Sequence, residues 1–460
     1  MSNIAVIGLG YVGLPLASLS AKKGHRVVGL ENNRQVVDIL RTGKSHIRDE
    51  AVERLLDEAH DSGNFHLTAD VSDTADCTIY LICVPTPVDG NNDPDLQPLI
   101  GALETIAPTV NRGDLVVVES TVFPGTCEEI ALPILEERTG LCAGEGFHLA
   151  HCPERVNPGD TFWTTENIPR VVGATSDEGA HLAAEFYVSI LGGELLDVRE
   201  IRHRMRPKFT LSDDGYKTAQ LPMGSVTMMR SIRDAEAVKA MENTVRDVNI
   251  AFVNELAKIS DVLDLDVVDI IDGMSTKPFG KGPFFPGAGV GGHCIAVDPE
   301  WLKAASKRAG YMPELIQLSR NTNNSMPEYT VYLLQDALND RGYATKDTRV
   351  AVLGVAYKKN VDDTRESPFY EIRTLLEKKG ADIAVYDSWI PTENSADSLE
   401  AVLDEAKAVV IVTDHDDAIT ALGSMDLGNS SIEVIIDGRN CLNSAAITEQ
   451  GILYKGIGRR

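Results

Sequence analysis

Three groups of residues in this chain have types and spacings that do chemistry. The first is a thiol among glycines, Gly291-Gly292-His293-Cys294, just ahead of Asp298-Pro299. Backbone N–H groups in such a turn stabilise a thiolate, and any oxyanion formed when it attacks a carbonyl carbon. The second is Lys239 with Asn243, four residues apart within a helical pattern and therefore on one helix face. Taken alone, that pair is more often a solvated face. The third is Gly8-Leu9-Gly10-Tyr11-Val12-Gly13, a GxGxxG directly after the apolar run Ile4-Ala5-Val6-Ile7. Its glycines let a turn close and a backbone approach a pyrophosphate, which the free N–H groups and dipole of the following helix would hold. Taken alone, the motif also describes any tight strand–helix turn. Glu31 ends the next apolar run, about 20 residues on, where a carboxylate grips the ribose 2′- and 3′-hydroxyls. A 2′-phosphate would be repelled there, so NAD is expected rather than NADP; nearby Arg34 is the one residue that argues the other way.

These groups need elements to position them. Ile4–Ile7, Arg26–Leu30, Thr78–Val84 and Leu115–Glu119 are short apolar strands with helical patterns between them, which indicates a parallel, doubly wound sheet. From 234 to 264, Ala235, Val238, Met241, Val245, Val248, Phe252, Leu256 and Ile259 recur at helical spacing with no Pro or Gly inside. One long amphipathic helix is expected, a connector between domains and a dimer core. Asp298-Pro299 opens another helix, Asp as cap and Pro in the first turn. Arg349–Gly354, Ile383–Tyr386, Ala408–Val412 and Glu433–Ile436 are strands of a second α/β unit. The fold class is therefore α/β: two Rossmann-like, doubly wound parallel-sheet domains joined by a long central helix and a helical middle domain. The expected division is 1–196 for dinucleotide binding, 197–232 as an insertion, 233–327 as the central helical part, and 328–460 as the C-terminal Rossmann-like domain. The insertion has no clean period. With Arg199, Arg202, Arg204, Arg206 and Lys208 it is basic, and is expected as a solvated surface loop, with contact to an anionic partner or membrane as the alternative.

Bulk properties narrow the class. At 460 residues the chain is too long for one core, and its 43% hydrophobic and 24% charged content is ordinary for a globular protein. A net charge of −26 repels nucleic-acid backbones, so no nucleic-acid partner is expected, and an anionic ligand needs local cations. No stretch approaches the roughly 18 apolar residues of a membrane span, and the first residues lack the features of a signal peptide. Seven cysteines, Cys77, Cys83, Cys127, Cys142, Cys152, Cys294 and Cys441, are scattered without CxxC spacing. That pattern suggests neither a zinc site nor a disulfide framework, and a reducing cytoplasm fits it. Most are expected to be small buried hydrophobes, with Cys294 the exception.

The chain resembles the UDP-glucose/GDP-mannose dehydrogenase family over its length apart from 197–232. The motifs that carry the resemblance are GLGYVGLPLA from Gly8, VPTP from Val84, ESTVFPGT from Glu119, CPER from Cys152, KAMEN from Lys239, GVGGHCIAVDP from Gly289, AYKKNVDDTRESP from Ala356 and DGR from Asp437. The resemblance implies oxidation of a sugar C6 alcohol to a carboxylate by two successive NAD molecules. Cys294 would be the nucleophile, Lys239 the general acid/base or alkoxide stabiliser, and Asn243 its oxyanion partner. Thr121 and Asp298 would position water, and Glu154 would assist thioester hydrolysis. Gly8, Gly10, Tyr11, Val12, Gly13, Glu31, Thr86, Thr121 and Arg365 would contact NAD, with Arg365 reaching the pyrophosphate. Lys358 and Arg439 would hold the substrate diphosphate; Glu154, Lys239, Asn243 and Gly291 would also border the substrate. The Gly280–Gly292 loop would wrap the sugar nucleotide, and Lys277 or Lys281 would reach a neighbouring subunit's substrate. A homodimer or dimer-based assembly is implied.

Within that family, Thr276–Gly280, Pro283–Gly287 and Gly292-His293-Cys294 look most like the branch acting on UDP-N-acetylglucosamine, UDP-N-acetylmannosamine or the galacto epimer. UDP-glucose and GDP-mannose remain alternatives. So do a two-electron hydroxyacid-type dehydrogenase, which needs neither Cys294 nor a C-terminal α/β unit, and a silent sugar-nucleotide binder. Sugar acids of this kind usually feed polysaccharide synthesis.

Overall fold

The computed structural model describes residues 1–88, 94–156, 160, 162–204, 222–277, 283–292 and 294–459. The chain forms two compact units, Met1–Glu242 with Glu300–Tyr311, and Asn243–Pro299 with Met312–Arg460.

The first unit is built on a nine-stranded sheet. Its strands are β1 (Asn3–Ile7), β2 (Arg26–Leu30), β3 (Phe65–Thr68), β4 (Ile79–Ile82), β5 (Leu115–Val118), β6 (His148–His151), β7 (Arg170–Ala174), β8 (Leu195–Asp197) and β9 (Val226–Met228). The order is β3-β2-β1-β4-β5-β6-β7-β9-β8, and β1 to β6 run parallel. Parallel strands covered on both faces need continuous apolar runs, and β4 and β5 are buried at every residue. The strand order reverses between β1 and β4, which opens a crevice at the carboxyl ends of those strands. After β6 the sheet departs from the all-parallel expectation: β7 is antiparallel to β6, through Ala150↔Ala174 and His151↔Gly173.

The 197–232 segment is not simply a surface loop. A helix, Val198–Arg204, follows β8, and β9 lies inside the sheet between β7 and β8 with Ser225, Val226 and Thr227 buried. Three residues are too few to display a period, and burial here comes from strands on both sides. Residues 205–221, with Arg206 and Lys208, lie outside the described residues.

One helix runs unbroken from Ile232 to Leu263, so the boundary between the units falls inside it. Asp264, at φ 59°, ends it in the left-handed conformation. In the second unit its later turns lie on the helix Glu314–Asn324 through a buried polar set. Asp247 Oδ1 accepts from Arg320 Nη1 and Asn323 Nδ2, each at 2.7 Å, and Asn254 Nδ2 donates to Asn323 Oδ1 at 2.9 Å. A buried charge is tolerable only when it is paired and hydrogen-bonded in this way.

The second unit also holds a five-stranded parallel sheet, ordered β11-β10-β12-β13-β14. The strands are β10 (Arg349–Leu353), β11 (Asp382–Tyr386), β12 (Ala408–Ile411), β13 (Val434–Asp437) and β14 (Leu453–Gly456). The last has no counterpart in the sequence reading, because Leu-Tyr-Lys-Gly shows no apolar run. Among the described residues, no helix is long and apolar enough to cross a membrane, and no group of three or more His, Cys, Asp or Glu is arranged to hold a metal ion.

Candidate active site

In the first unit the glycine turn divides its work among three positions. Gly8 has φ 87°, and a Cβ there would meet the Cys83 carbonyl at 2.8 Å. A Cβ on Gly13 would stand 1.8 Å from the Gly8 carbonyl oxygen, so only glycine lets this helix start so close to its strand. Around Gly10, by contrast, a Cβ would meet nothing within 4 Å. That open approach is what a pyrophosphate requires. Val12 is the N-cap of the helix Gly13–Lys22, and no side chain caps it. Tyr11 beside it is exposed. Glu31 Oε2 accepts from Leu9 N at 2.9 Å and Oε1 accepts from Asn33 N at 2.9 Å, so the carboxylate is fixed to the turn yet half-buried. An uncapped helix start, open space at Gly10 and an anchored carboxylate at the end of β2 fit a dinucleotide.

Thr86 follows β4, Thr121 follows β5 and Glu154 follows β6, all at the carboxyl edge of the parallel strands. The Ser120 hydroxyl donates to the Val84 carbonyl at 2.7 Å, tying the Thr86 and Thr121 segments together. Behind them lies a buried ion pair, Arg170 Nη1 to Glu119 Oε2 at 2.9 Å, and the Tyr187 hydroxyl donates to Glu119 Oε1. Burial raises the Glu119 pKa against the opposing pull of Arg170 and Tyr187.

The long helix pins the loops that follow β5 and β6. Glu236, almost wholly buried, accepts from Gly125 N at 2.6 Å and from Cys127 N at 2.7 Å, which holds the loop after Thr121. Glu242 accepts from Arg155 Nε at 3.0 Å, which holds the segment after Glu154. Lys239 lies between these two carboxylates on the helix and is buried. His151 is 1% exposed, and burial, with the nearby Lys239 charge, pushes its pKa down to about 3. Sequence reasoning missed Glu236 and the Glu119–Arg170 pair. The one available signal was Glu236, a turn before Lys239 on the helix and on the same side.

In the second unit Cys294 is half-buried and heads a turn. Asp298 N donates to the Cys294 carbonyl at 2.8 Å, and the helix Asp298–Arg308 follows. Asp298 is 1% exposed, and its Oδ2 accepts from Asn243 Nδ2 at 2.5 Å. The structure thus joins Asn243 to the Cys294 turn through Asp298. The glycines before Cys294 thread against the loop after β10: a Cβ on Gly291 would meet the Glu366 carbonyl at 2.7 Å, and one on Gly292, at φ 86°, would meet the Tyr357 ring at 2.7 Å. Gly292 N donates to the Arg365 carbonyl at 3.0 Å. Lys358, half-buried, lies on the same loop, while exposed Arg365 forms a two-pronged pair with Asp363 at 3.0 and 2.7 Å. Arg439 follows β13; its Nε donates to the Val412 carbonyl at 2.7 Å, and a Cβ on Gly287 would touch its guanidinium at 2.9 Å. Lys277 is exposed; Lys281 and His293 lie outside the described residues.

Burial separates Cys294 from most of the other thiols. Cys77 is pushed up to about 11, and Cys83, Cys127 and Cys152 are likewise raised by burial, as inert core thiols are. Cys142 is exposed and Cys441 half-buried, so the buried-hydrophobe expectation does not extend to them.

Residues 2–191, 233–325 and 351–444 match, in turn, the NAD binding domain, the central domain and the UDP binding domain of the UDP-glucose/GDP-mannose dehydrogenase family. The UDP-N-acetyl-D-mannosamine dehydrogenase of Pyrococcus horikoshii is 35% identical over 458 residues, 99% of each chain. The UDP-N-acetyl-D-glucosamine 6-dehydrogenase of Salmonella typhi is 35% identical over 391 residues, 85% of this chain and 83% of that protein. The solved structure of a UDP-D-ManNAc dehydrogenase from Pyrococcus horikoshii superposes with a TM-score of 0.86 at 35% identity, over 99% of both chains. The glycine turn after β1 and the glycine-flanked Cys294 each lie within a matched segment, and this chain belongs to the UDP-glucose/GDP-mannose dehydrogenase family.

Proposed function

We propose that the protein is an NAD-dependent UDP-N-acetylhexosamine 6-dehydrogenase that carries a C6 alcohol through the aldehyde to the uronic acid. The observation that carries this reading is the Cys294 turn, anchored through Asp298 to Asn243, in a chain that matches all three parts of the family pattern. The names of the most similar relatives support an N-acetylhexosamine, with the mannosamine and glucosamine epimers both represented.

NAD, two molecules per turnover, supplies the hydride acceptor for each oxidation. Lys239 takes the alcohol proton and stabilises the alkoxide, and the Asn243 amide donates to the same oxygen. The Cys294 thiolate attacks the aldehyde carbon and forms a thiohemiacetal, which the second oxidation converts to a thioester. A thiolate suits this step because it forms readily near neutral pH and leaves a more reactive ester than an alcohol would. Thr121 and Asp298 hold a water, and Glu154 assists its attack on the thioester carbonyl, which releases the carboxylate and restores the thiol. Lys358 and Arg439 hold the diphosphate, with the NAD-binding part over 1–196 and the UDP-sugar part over 328–460. A homodimer is part of the proposal: Val245, Phe252 and Ile259, seven residues apart along the long helix, are 57%, 56% and 46% exposed and form an apolar row suited to a second copy. Action in the cytoplasm, feeding polysaccharide synthesis, completes it.

The test is NADH yield against UDP-N-acetylglucosamine, UDP-N-acetylmannosamine, UDP-glucose and GDP-mannose, with Cys294→Ser alongside. The expected result is two NADH per sugar from a UDP-N-acetylhexosamine and collapse of turnover in the variant. One NADH per sugar, with Cys294→Ser unaffected, defeats the two-step scheme.

A further inference from the structure

The two sheets begin with the same device. Gly8 N donates to the Leu30 carbonyl at 2.9 Å, and Gly354 N donates to the Tyr386 carbonyl at 2.9 Å. In each, the next residue of the second strand's end is a carboxylate that accepts from the amide after the glycine: Glu31 from Leu9 N at 2.9 Å, Asp387 from Val355 N at 2.6 Å. There the likeness stops. Glu31 is half-buried at the mouth of its turn. Asp387 is wholly internal. Its Oδ2 accepts from Val355 N, from Ala356 N at 2.9 Å and from His415 Nε2 at 3.1 Å, and its Oδ1 accepts from Trp389 N at 2.7 Å and Ile390 N at 3.0 Å. A carboxylate so enclosed is closed to any ribose hydroxyl, and the amides it consumes are closed to any phosphate.

His415 is 1% exposed and carries the hold further along the loop. Its Nδ1 faces Asn360 N at 3.0 Å. A backbone N–H only donates, so Nδ1 accepts, and the ring proton sits on Nε2, where it is donated to Asp387. Burial alone would raise the Asp387 pKa, but the hydrogen bonds from His415 and from the loop amides outweigh it and hold the carboxyl below the usual carboxylate range. Trp389 stacks on the His415 ring, with centroids 6.3 Å apart and planes 16° from parallel. The Thr413 hydroxyl donates to the Ala356 carbonyl at 2.5 Å. Lys358 is thus bracketed, two residues after an amide held by Asp387 and two before an amide held by His415.

We infer that Asp387 and His415 are positioning residues for nucleotide-sugar binding: an internal anion and its imidazole replace a bound phosphate as the anchor of loop 355–360 and so aim Lys358 at the ligand's diphosphate. The inference rests on the proposed role of Lys358. With the amides of Val355, Ala356 and Asn360 spent internally, those positions leave the diphosphate to side chains. That is the reverse of the first unit, where the helix start is left uncapped for a ligand.

The test uses the full chain, with UDP as the probe in titration calorimetry and NAD as the internal control. Asp387→Asn places an amide N–H against loop donors. His415→Gln keeps the donor to Asp387 and loses the acceptor for Asn360, whereas His415→Asn sets an oxygen where Nδ1 stood. Expected are UDP affinity reduced about tenfold or more in Asp387→Asn and His415→Gln, within about threefold of wild type in His415→Asn, and NAD affinity unchanged in all. In turnover the loss should appear in the sugar KM with kcat little changed. If Asp387→Asn does not fold, the contrast between the two His415 variants decides. Equal UDP binding by wild type, Asp387→Asn and His415→Gln overturns the inference alone, as does equal loss in His415→Asn and His415→Gln. A wild-type chain that binds no UDP overturns the proposed function and this inference together.

Discussion

Replacing Glu236 with Gln perturbs a single buried joint between the long helix and the loop that carries Thr121. The carboxylate accepts from Gly125 N and Cys127 N, and both bonds are shielded from water. In Gln one oxygen becomes an NH2 group, so one of those N–H donors loses its acceptor and faces another donor. An orphaned buried donor costs about 1–3 kcal/mol. Part of this is offset, because burial already raises the Glu236 pKa, which means that the charged form is held at a cost that Gln does not incur. The net expectation is a loss of about 1–2 kcal/mol in urea-induced unfolding. Glu236 lies one turn before Lys239, so a loosened joint shifts Thr121 relative to that lysine. A displacement of about 1 Å at reacting groups costs on the order of a hundredfold. We therefore expect kcat to fall about 10–100-fold. Glu236→Ala, which orphans both donors and leaves a cavity, should lose about 3–5 kcal/mol. Wild-type stability together with wild-type kcat in Glu236→Gln would refute the reasoning.

The glycine turn offers a paired contrast. Gly10→Ala meets no atoms and should leave the melting temperature unchanged while raising the KM for NAD, whereas Gly13→Ala meets the Gly8 carbonyl and should yield little folded protein; similar stability in the two variants would contradict the assigned roles. His151 has a folded pKa of about 3 against an ordinary value of 6.5. The unfolded chain therefore takes up the proton first, and stability that is complete above pH 6.5 is lost as pH falls toward 3, by up to about 4–5 kcal/mol. Unfolding from pH 7 to 4 should show a shallower decline in His151→Gln than in wild type; parallel curves would exclude this residue as the cause. Glu119→Gln breaks the buried pair with Arg170 and should cost about 3–5 kcal/mol by chemical denaturation, and a loss below about 1 kcal/mol would mean that the pair is not the anchor described.

Much of this architecture is legible in the residues themselves. The GxGxxG turn, Glu31, the long helix and the Cys294 turn announce themselves because each is local: its residues are neighbours in sequence and its physics is a period, a glycine or a cap. The joints are not local. Glu236 meets Gly125 and Cys127 across more than a hundred residues, and Arg170 meets Glu119 across 51. Nothing in the spacing of a lone Glu or Arg marks such a partner. Strands β9 and β14 escape notice for another reason: three or four residues carry no measurable alternation, and only their neighbours make them strands. Asp387 and His415 combine both difficulties, for each looks like a surface polar residue at a strand end until the loop amides around it are seen.

The unbroken helix Ile232–Leu263 supplies Lys239 on one side of the boundary between the units and Asn243 on the other. Over that stretch the chain keeps time. Each added or removed residue turns everything downstream by about 100°, so a single-residue insertion between Lys239 and Asn243 would aim the amide a quarter-turn or more away without changing any side chain. A change in the number of residues over that stretch is therefore costlier than a change of letter on the exposed face of the helix.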